Sequence, residues 1–429
     1  IWILLCTFFY VTLLAIKHIQ FGLEFIIFVW PMSALPFIVG GVPQAALNHI
    51  FICRSLIVVF AFLLSVSWFL QNFMQAKREI CFLFLTHFLV FFVLYAITLL
   101  GVNEETLFNA INALIGLFFI CSFFYFFITW VRGYSLINRI LKVFALSCVL
   151  QAILSFLSYY YYVVLGGEDS FSFTGLLRDY ELFAEYLAVH VPIFFFLIRN
   201  EDSKFLKNVF RVGLMLVLLV LIATVIRGAL VALFVAMGFY LWRLRKITGL
   251  GYVVKTICYG VLLIGVIILV VHIFIPESSR IIERFLETDL STGDSRRFVW
   301  VMFLDYFKEK PFFGHGMFYD LPTAELFWPH STYFYFLLTL GIPGLLNFLI
   351  LIIRLIKKGF ENIRRSVPVS KHYEMAIAIQ SAFFIIIIDG LKVGYQRYLN
   401  YQLFVWMVFG LIAAFYFTVS KEGSSVEDS

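Results

Sequence analysis

LFNAINALIGLFFICSFFYFFITWV, residues Leu107–Val131, carries no charged side chain. It is longer than the roughly 20 residues a helix needs to cross the hydrocarbon core of a bilayer. A surface helix of a soluble domain keeps one polar face, and this segment has none. Ile80–Leu100 and Tyr252–Ile275 read in the same way. Working outward from these runs, helices are expected over 1–17, 22–40, 55–72, 80–100, 107–131, 139–163, 181–198, 206–225, 228–244, 252–275, 333–355, 373–394 and 400–418. The expected fold class is all-α: a polytopic integral membrane protein with about 12–13 transmembrane helices. One membrane domain covers 1–420, and a polar, disordered tail is expected over 421–429.

Composition supports that choice of solvent. Of 429 residues, 62% are hydrophobic and 14% charged, against about 25% charged in a soluble domain. The net charge of +6 is spread over short loops rather than gathered on one face, so nucleic acid is not an expected partner. Lys77/Arg78, Arg132/Arg139/Lys142, Arg199/Lys204/Lys207, Arg243/Arg245/Lys246 and Lys357/Lys358/Arg364/Arg365 fall on every second connection. Cytoplasmic loops of membrane proteins are enriched in Lys and Arg, so these connections are expected to face the cytoplasm. The six cysteines, Cys6, Cys53, Cys81, Cys121, Cys148 and Cys258, lie in or beside apolar runs without CxxC spacing and read as free thiols. Ile1–Ile16 has neither a basic leader nor a small-residue cleavage site, so a cleavable signal peptide is not expected. The aromatic content of 20% fits lipid packing and interfacial belts.

The alternate loops then face the other side, the longest being 276–332. It holds Arg280, Arg284, Arg296, Arg297, Lys308 and Lys310, basic residues on a face that topology leaves poor in them. Within it, Arg296–Lys310 places Val299, Phe303, Tyr306 and Phe307 at helical spacing, as in an amphipathic helix lying on the membrane surface. Pro311, Gly314 and Gly316 end that helix.

Three elements carry candidate chemistry. His330 and Ser331 open the helix that bears Gly341 and Gly344. A histidine at the water-facing end of a helix can act as general base near neutral pH, or be an interfacial residue without a role. The two glycines suit close helix packing. Arg227 separates two apolar runs with almost no loop; it either binds a ligand or snorkels to the interface. Arg296 and Arg297 precede the amphipathic helix and either bind a ligand or anchor lipid headgroups. If the three converge, guanidinium forks and one imidazole meet at the outer membrane face. Guanidinium groups bind phosphate oxygens bidentately, so a lipid-linked diphosphate is the ligand such a cluster suits. No His, Cys or Asp cluster has metal-ligand spacing, and no Walker A or Rossmann glycine pattern is present.

His330-Ser331, nine residues, then Gly341-x-x-Gly344 resembles the His-Asn/Ser-x9-Gly-x-x-Gly signature of the O-antigen ligase and polymerase superfamily. Thr224-x-x-Arg227-Gly228 is similar to its Thr-x-Ser-Arg-Gly segment, with Ile226 in place of the serine. Arg296-x-x-x-Trp300 followed by Pro311-x-x-Gly314-x-Gly316 is similar to the start of its large periplasmic loop, and GLLRDYELFAEYL (Gly175–Leu187) and YQLFVWMVFGLI also match its style. The resemblance runs from about Gly175 to Leu411. It implies a GT-C-like glycosyltransferase of the bacterial inner membrane, without metal or other cofactor, whose site faces the periplasm. The implied partners are an undecaprenyl-diphosphate-linked glycan donor, a lipid or glycan acceptor such as lipid A-core, and membrane lipids. Carried over, the resemblance makes Arg227 and Arg296 the diphosphate ligands and His330 the base. Arg178, Arg297 and Ser331 are further candidate substrate contacts, and Trp328 is a loop aromatic able to stack on a sugar ring near His330.

Three other readings remain open at this level. A repeat-unit polymerase of the same superfamily needs only lipid-linked units. A transporter or flippase predicts symmetric halves and charge at mid-bilayer; here charge within an expected helix is confined mainly to Asp389 and Lys392. A purely structural membrane component leaves the outward arginines without a purpose.

Overall fold

The computed structural model describes residues 24, 65, 69, 85–100, 104–160, 179–274, 295–316, 330–368, 370–394, 396 and 399–427. The expected helices over 1–17, 22–40 and 55–72, apart from residues 24, 65 and 69, and the loop parts 276–294 and 317–329 lie outside them. The described residues form helices and no strand. In chain order these are α1 (Thr86–Leu99), α2 (Glu104–Trp130), α3 (Tyr134–Tyr159), α4 (Tyr180–Asn200), α5 (Lys204–Ala223), α6 (Arg227–Thr248), α7 (Leu250–Phe274), α8 (Ser295–Glu309), α9 (Thr332–Arg365), α10 (Lys371–Asp389) and α11 (Leu399–Glu427). Among the described residues, nine helices are long and apolar enough to cross a membrane, and the chain is a polytopic all-α membrane protein.

Burial separates the centre of the bundle from its rim. The spans of α4 and α11 are 89% buried, and α4 packs against α3, α5, α6 and α10. The span of α7 is 11% buried and presents Val261, Leu262 and Leu269 outward. Outward leucines cost nothing where the surrounding solvent is acyl chain rather than water. Polar side chains fasten the helix ends. Asp179 caps α4 by accepting from the amides of Glu181 and Leu182, and Ser370 caps α10 by accepting from Tyr373. Each satisfies backbone donors that no preceding turn can reach.

The basic connections among the described residues gather at one end of the bundle. There Glu374 of α10 accepts from Arg199 Nε (2.7 Å), Asn200 Nδ2 (2.9 Å) and the Tyr240 hydroxyl (2.8 Å), tying α4, α6 and α10. Lys142 meets Glu201 at 2.5 Å and Lys371 meets Asp202 at 3.0 Å. Lys142, Asn200, Glu201, Asp202 and Lys371 also line a cleft of about 170 Å³.

Three expectations change. The polar tail from Lys421 is not disordered throughout, because α11 continues to Glu427. The helix expected over 373–394 stops at Asp389, so Asp389 and Lys392 flank a turn at the helix end instead of lying mid-span. The carbonyls of Gly390 and Val393 both serve the amide of Thr332 at the head of α9, which draws the chain out of helix. The third change concerns α8. Val299 and Phe303 are buried against Leu338 of α9, with Met302, Tyr306 and Phe307 packed around them. The apolar face of this helix is covered by protein, not only by the membrane surface.

That docking rests on a break in α9. Gly341 has φ 68° and ψ −167°, a region essentially reserved for glycine, and it divides α9 into two helical pieces. Pro343 has no amide hydrogen, so the Thr339 carbonyl has no donor one turn ahead. The turn after α8 supplies one: Gly316 N donates to Thr339 O at 2.9 Å and His315 N to Leu338 O at 2.8 Å. In return the Ile342 amide donates to Pro311 O at 2.9 Å. A Cβ on Gly314 would lie 2.5 Å from the Thr339 carbonyl oxygen, and one on Gly341 would strike the Phe312 carbonyl. The glycines of 311–316 and of 341–344 thus form two sides of one backbone interlock. Close approach is their purpose, as expected, but the partner of Gly341 is a turn and not a second helix. Gly344 would instead collide with Leu340 of its own helix, across the kink.

Candidate active site

The end of the bundle opposite the basic connections gathers the N-termini of α4, α6, α9 and α11 and the C-terminus of α10. His330 immediately precedes α9. Its backbone is left-handed at φ 41°, a conformation that costs a non-glycine residue about 1–3 kcal/mol. The residues after it hold that conformation. Ser331 is buried and caps α9 by accepting from Phe334 N. Thr332 donates its amide to Gly390 O (2.9 Å) and Val393 O (3.1 Å), and its hydroxyl to Val393 O (3.0 Å). The Tyr333 hydroxyl donates to Ile387 O at 2.8 Å. Four bonds to the end of α10 therefore fix where His330 stands.

Arg227 is the first residue of α6, reached from α5 by the tight turn Thr224–Ile226 in which Val225 has φ 58°. Its neighbour Gly228 presses on the same end of α10. A Cβ there would lie 2.5 Å from Asp389 Oδ1 and 2.7 Å from Lys392 Cδ. The turn over 389–393 is consequently held between Gly228 and Thr332, and it brings the Arg227 turn and the His330 turn to the same end of α10.

The third element arrives by register. Phe303 packs with Leu338, and one turn earlier on α8 the Trp300 ring lies 5.6 Å from Phe334. Moving toward the start of α8 moves toward the start of α9, so the two helices run parallel. One further turn brings position 296 level with His330, with Arg297 beside it in the first turn of α8. The structure thus brings the backbone positions of Arg227, Arg296 and His330 to one end. Arg178 and Trp328 lie outside the described residues.

Below His330 lies a buried polar group that no sequence signal singled out. Glu181, in the first turn of α4, places Oε2 3.3 Å from His330 Nδ1. The Glu181 side chain is 8% exposed and that of His330 36%, so the imidazole reaches the outside from a buried carboxylate. One helical turn deeper, Glu185 is fully buried and accepts from the Tyr401 hydroxyl at 2.9 Å. Asp389 is buried as well and faces Glu185. Ionisable groups buried at membrane depth are costly and are kept where they are paired or used. Two glutamates one turn apart in GLLRDYELFAEYL were the available signal; the first resembles an ordinary acidic residue in a helix's first turn. Among the described residues, no group of three or more His, Cys, Asp or Glu is arranged to hold a metal ion.

Arg227, Arg296, Trp300, His330 and Gly341 all fall inside the part of the chain that has a recognisable relative: residues 212–349 match the family described as O-antigen ligase. Among curated proteins, none matches this sequence.

Proposed function

We infer, from the match of residues 212–349 to the O-antigen ligase family, a glycosyltransferase of ligase type that moves a glycan from undecaprenyl diphosphate to an acceptor hydroxyl. The observation that carries this reading is the convergence of the Arg227 turn, the start of α8 and His330 at one end of the bundle. In this reading that end faces away from the cytoplasm, since the basic connections collect at the other.

The chemistry is a single displacement. Arg227 and Arg296 bind the diphosphate oxygens and stabilise the charge that grows on them as the bond to the anomeric carbon breaks. His330 takes the proton of the acceptor hydroxyl as that oxygen attacks, and the electron pair of the broken bond leaves with the diphosphate. The anomeric configuration inverts. General-base catalysis contributes about 10²–10⁴-fold, and one charge-stabilising donor about 10²–10³-fold.

The test is glycan transfer from a defined undecaprenyl-diphosphate donor, with and without acceptor, by reconstituted wild type and by His330→Ala and Arg227→Ala. Loss of transfer in both variants, with acceptor required and the donor configuration inverted, is the expected result. Wild-type rates in both variants would refute the reading. Chain growth from donor alone would reassign the protein to polymerase chemistry.

A further inference from the structure

We propose that Glu181 is the positioning residue of His330, holding the imidazole with its proton on Nδ1 and its Nε2 lone pair turned to the acceptor. The inference rests on the proposed role of His330 as base, and goes beyond it by assigning the group that makes the base competent. Neither the histidine signature nor the arginine segments include this carboxylate.

Three observations carry it. The first is the contact itself, Nδ1 to Oε2 at 3.3 Å between residues 149 apart in sequence. That length is at the loose end for an ionic hydrogen bond, and such bonds in unliganded sites tighten when substrate closes the site. The second is the contrast in exposure, 8% for the carboxylate and 36% for the ring. A buried carboxylate cannot itself receive a proton from a glycan hydroxyl outside, whereas the ring can. The third is that both partners are fixed by backbone. Glu181 sits in a turn whose amides Asp179 caps, and His330 is held in a left-handed conformation by the bonds of Thr332 and Tyr333 to α10. A ring so placed has few rotamers, and the carboxylate selects the tautomer.

The proton balance follows. The acceptor hydroxyl proton passes to Nε2, giving an imidazolium whose Nδ1–H still faces the Glu181 carboxylate. That anion stabilises the positive ring while the diphosphate departs. The proton leaves later from Nε2 to water, restoring the starting tautomer.

The experiment uses the reconstituted full chain with Glu181→Ala, Glu181→Gln and Glu181→Asp, beside His330→Ala. Expected is a fall in kcat of about 10²-fold in Glu181→Ala and Glu181→Gln with donor KM unchanged, and partial recovery in Glu181→Asp. In parallel, ¹⁵N-histidine spectra read the His330 tautomer, assigned by its loss in His330→Ala; the Nδ1–H form is expected in wild type and a mixture in Glu181→Ala. Wild-type kcat in Glu181→Ala beside an inactive His330→Ala would overturn the proposal and leave the base assignment standing. So would an equal loss in all three variants with raised KM and unchanged tautomer, the mark of a merely structural glutamate. Activity retained in His330→Ala would instead remove the base assignment, and the role of Glu181 with it.

Discussion

Replacing Gly341 with alanine should undock α8. At φ 68° and ψ −167° the new side chain costs about 1–3 kcal/mol in backbone strain alone. Its Cβ also meets the Phe312 carbonyl and lies 2.8 Å from Phe313 N, backbone atoms that cannot rotate away. Relief requires the 311–316 turn to withdraw, giving up the bonds of His315, Gly316 and Ile342 at about 1 kcal/mol each. The sum is about 4–6 kcal/mol against docking, a shift of roughly 10³-fold or more in the docked-to-undocked ratio. Lys308 lies at the exposed end of α8, so limited trypsinolysis in detergent, with the cut sites read by mass spectrometry, reports the change. Cleavage after Lys308 should accelerate strongly in Gly341→Ala while the rest of the bundle stays resistant. Glycan transfer should fall too, because position 296 is no longer held beside His330. Wild-type protection at Lys308 in a folded Gly341→Ala protein would refute the interlock.

Two further outcomes are expected. Glu374→Ala leaves Arg199, Asn200 and Tyr240 without their acceptor and should destabilise the bundle by about 3 kcal/mol, seen as a lower thermal midpoint that Glu374→Gln partly restores; an unchanged midpoint would count against that network. The third concerns acid. Burial pushes the His315 imidazole below its ordinary value, opposed by the bond of its Nε2–H to Tyr306 O, with Lys310 and Glu309 the nearest charges. A depressed folded value means docking is full above the unfolded value near 6.5 and weakens as pH falls below it. Tryptic release at Lys308 should therefore rise on acidification from pH 7 to 5, and His315→Gln should flatten that dependence; parallel curves would contradict it.

The membrane fold was legible because lipid demands long apolar runs, and every expected helix from 80 onward has a counterpart among the described helices. Helix ends were harder. In IIIIDGLKVG the apolar run alone does not end α10 at Asp389; the carbonyls that follow its end, of Gly390 and Val393, are taken by Thr332, distant in sequence. Likewise α8 was recognisable as amphipathic, but hydrophobic spacing does not distinguish a lipid surface from Leu338 as the covering partner. Of the candidate site, the histidine and arginine segments could be read from their resemblance to a family. Glu181, Glu185 and Asp389 could not, because their significance lies in contacts between α4, α9, α10 and α11 rather than in spacing along one helix.

The convergence at His330 depends most directly on the register of α8 against α9, and site-directed cross-linking measures it. In a cysteine-free background, Arg296→Cys is paired with His330→Cys, or with Leu338→Cys, which lies about 12 Å further along α9. A thiol cross-linker shorter than that separation is expected to join 296 to 330 and not to 338. Joining of 296 to 338 alone would place the start of α8 away from His330, and the proposed site would not assemble.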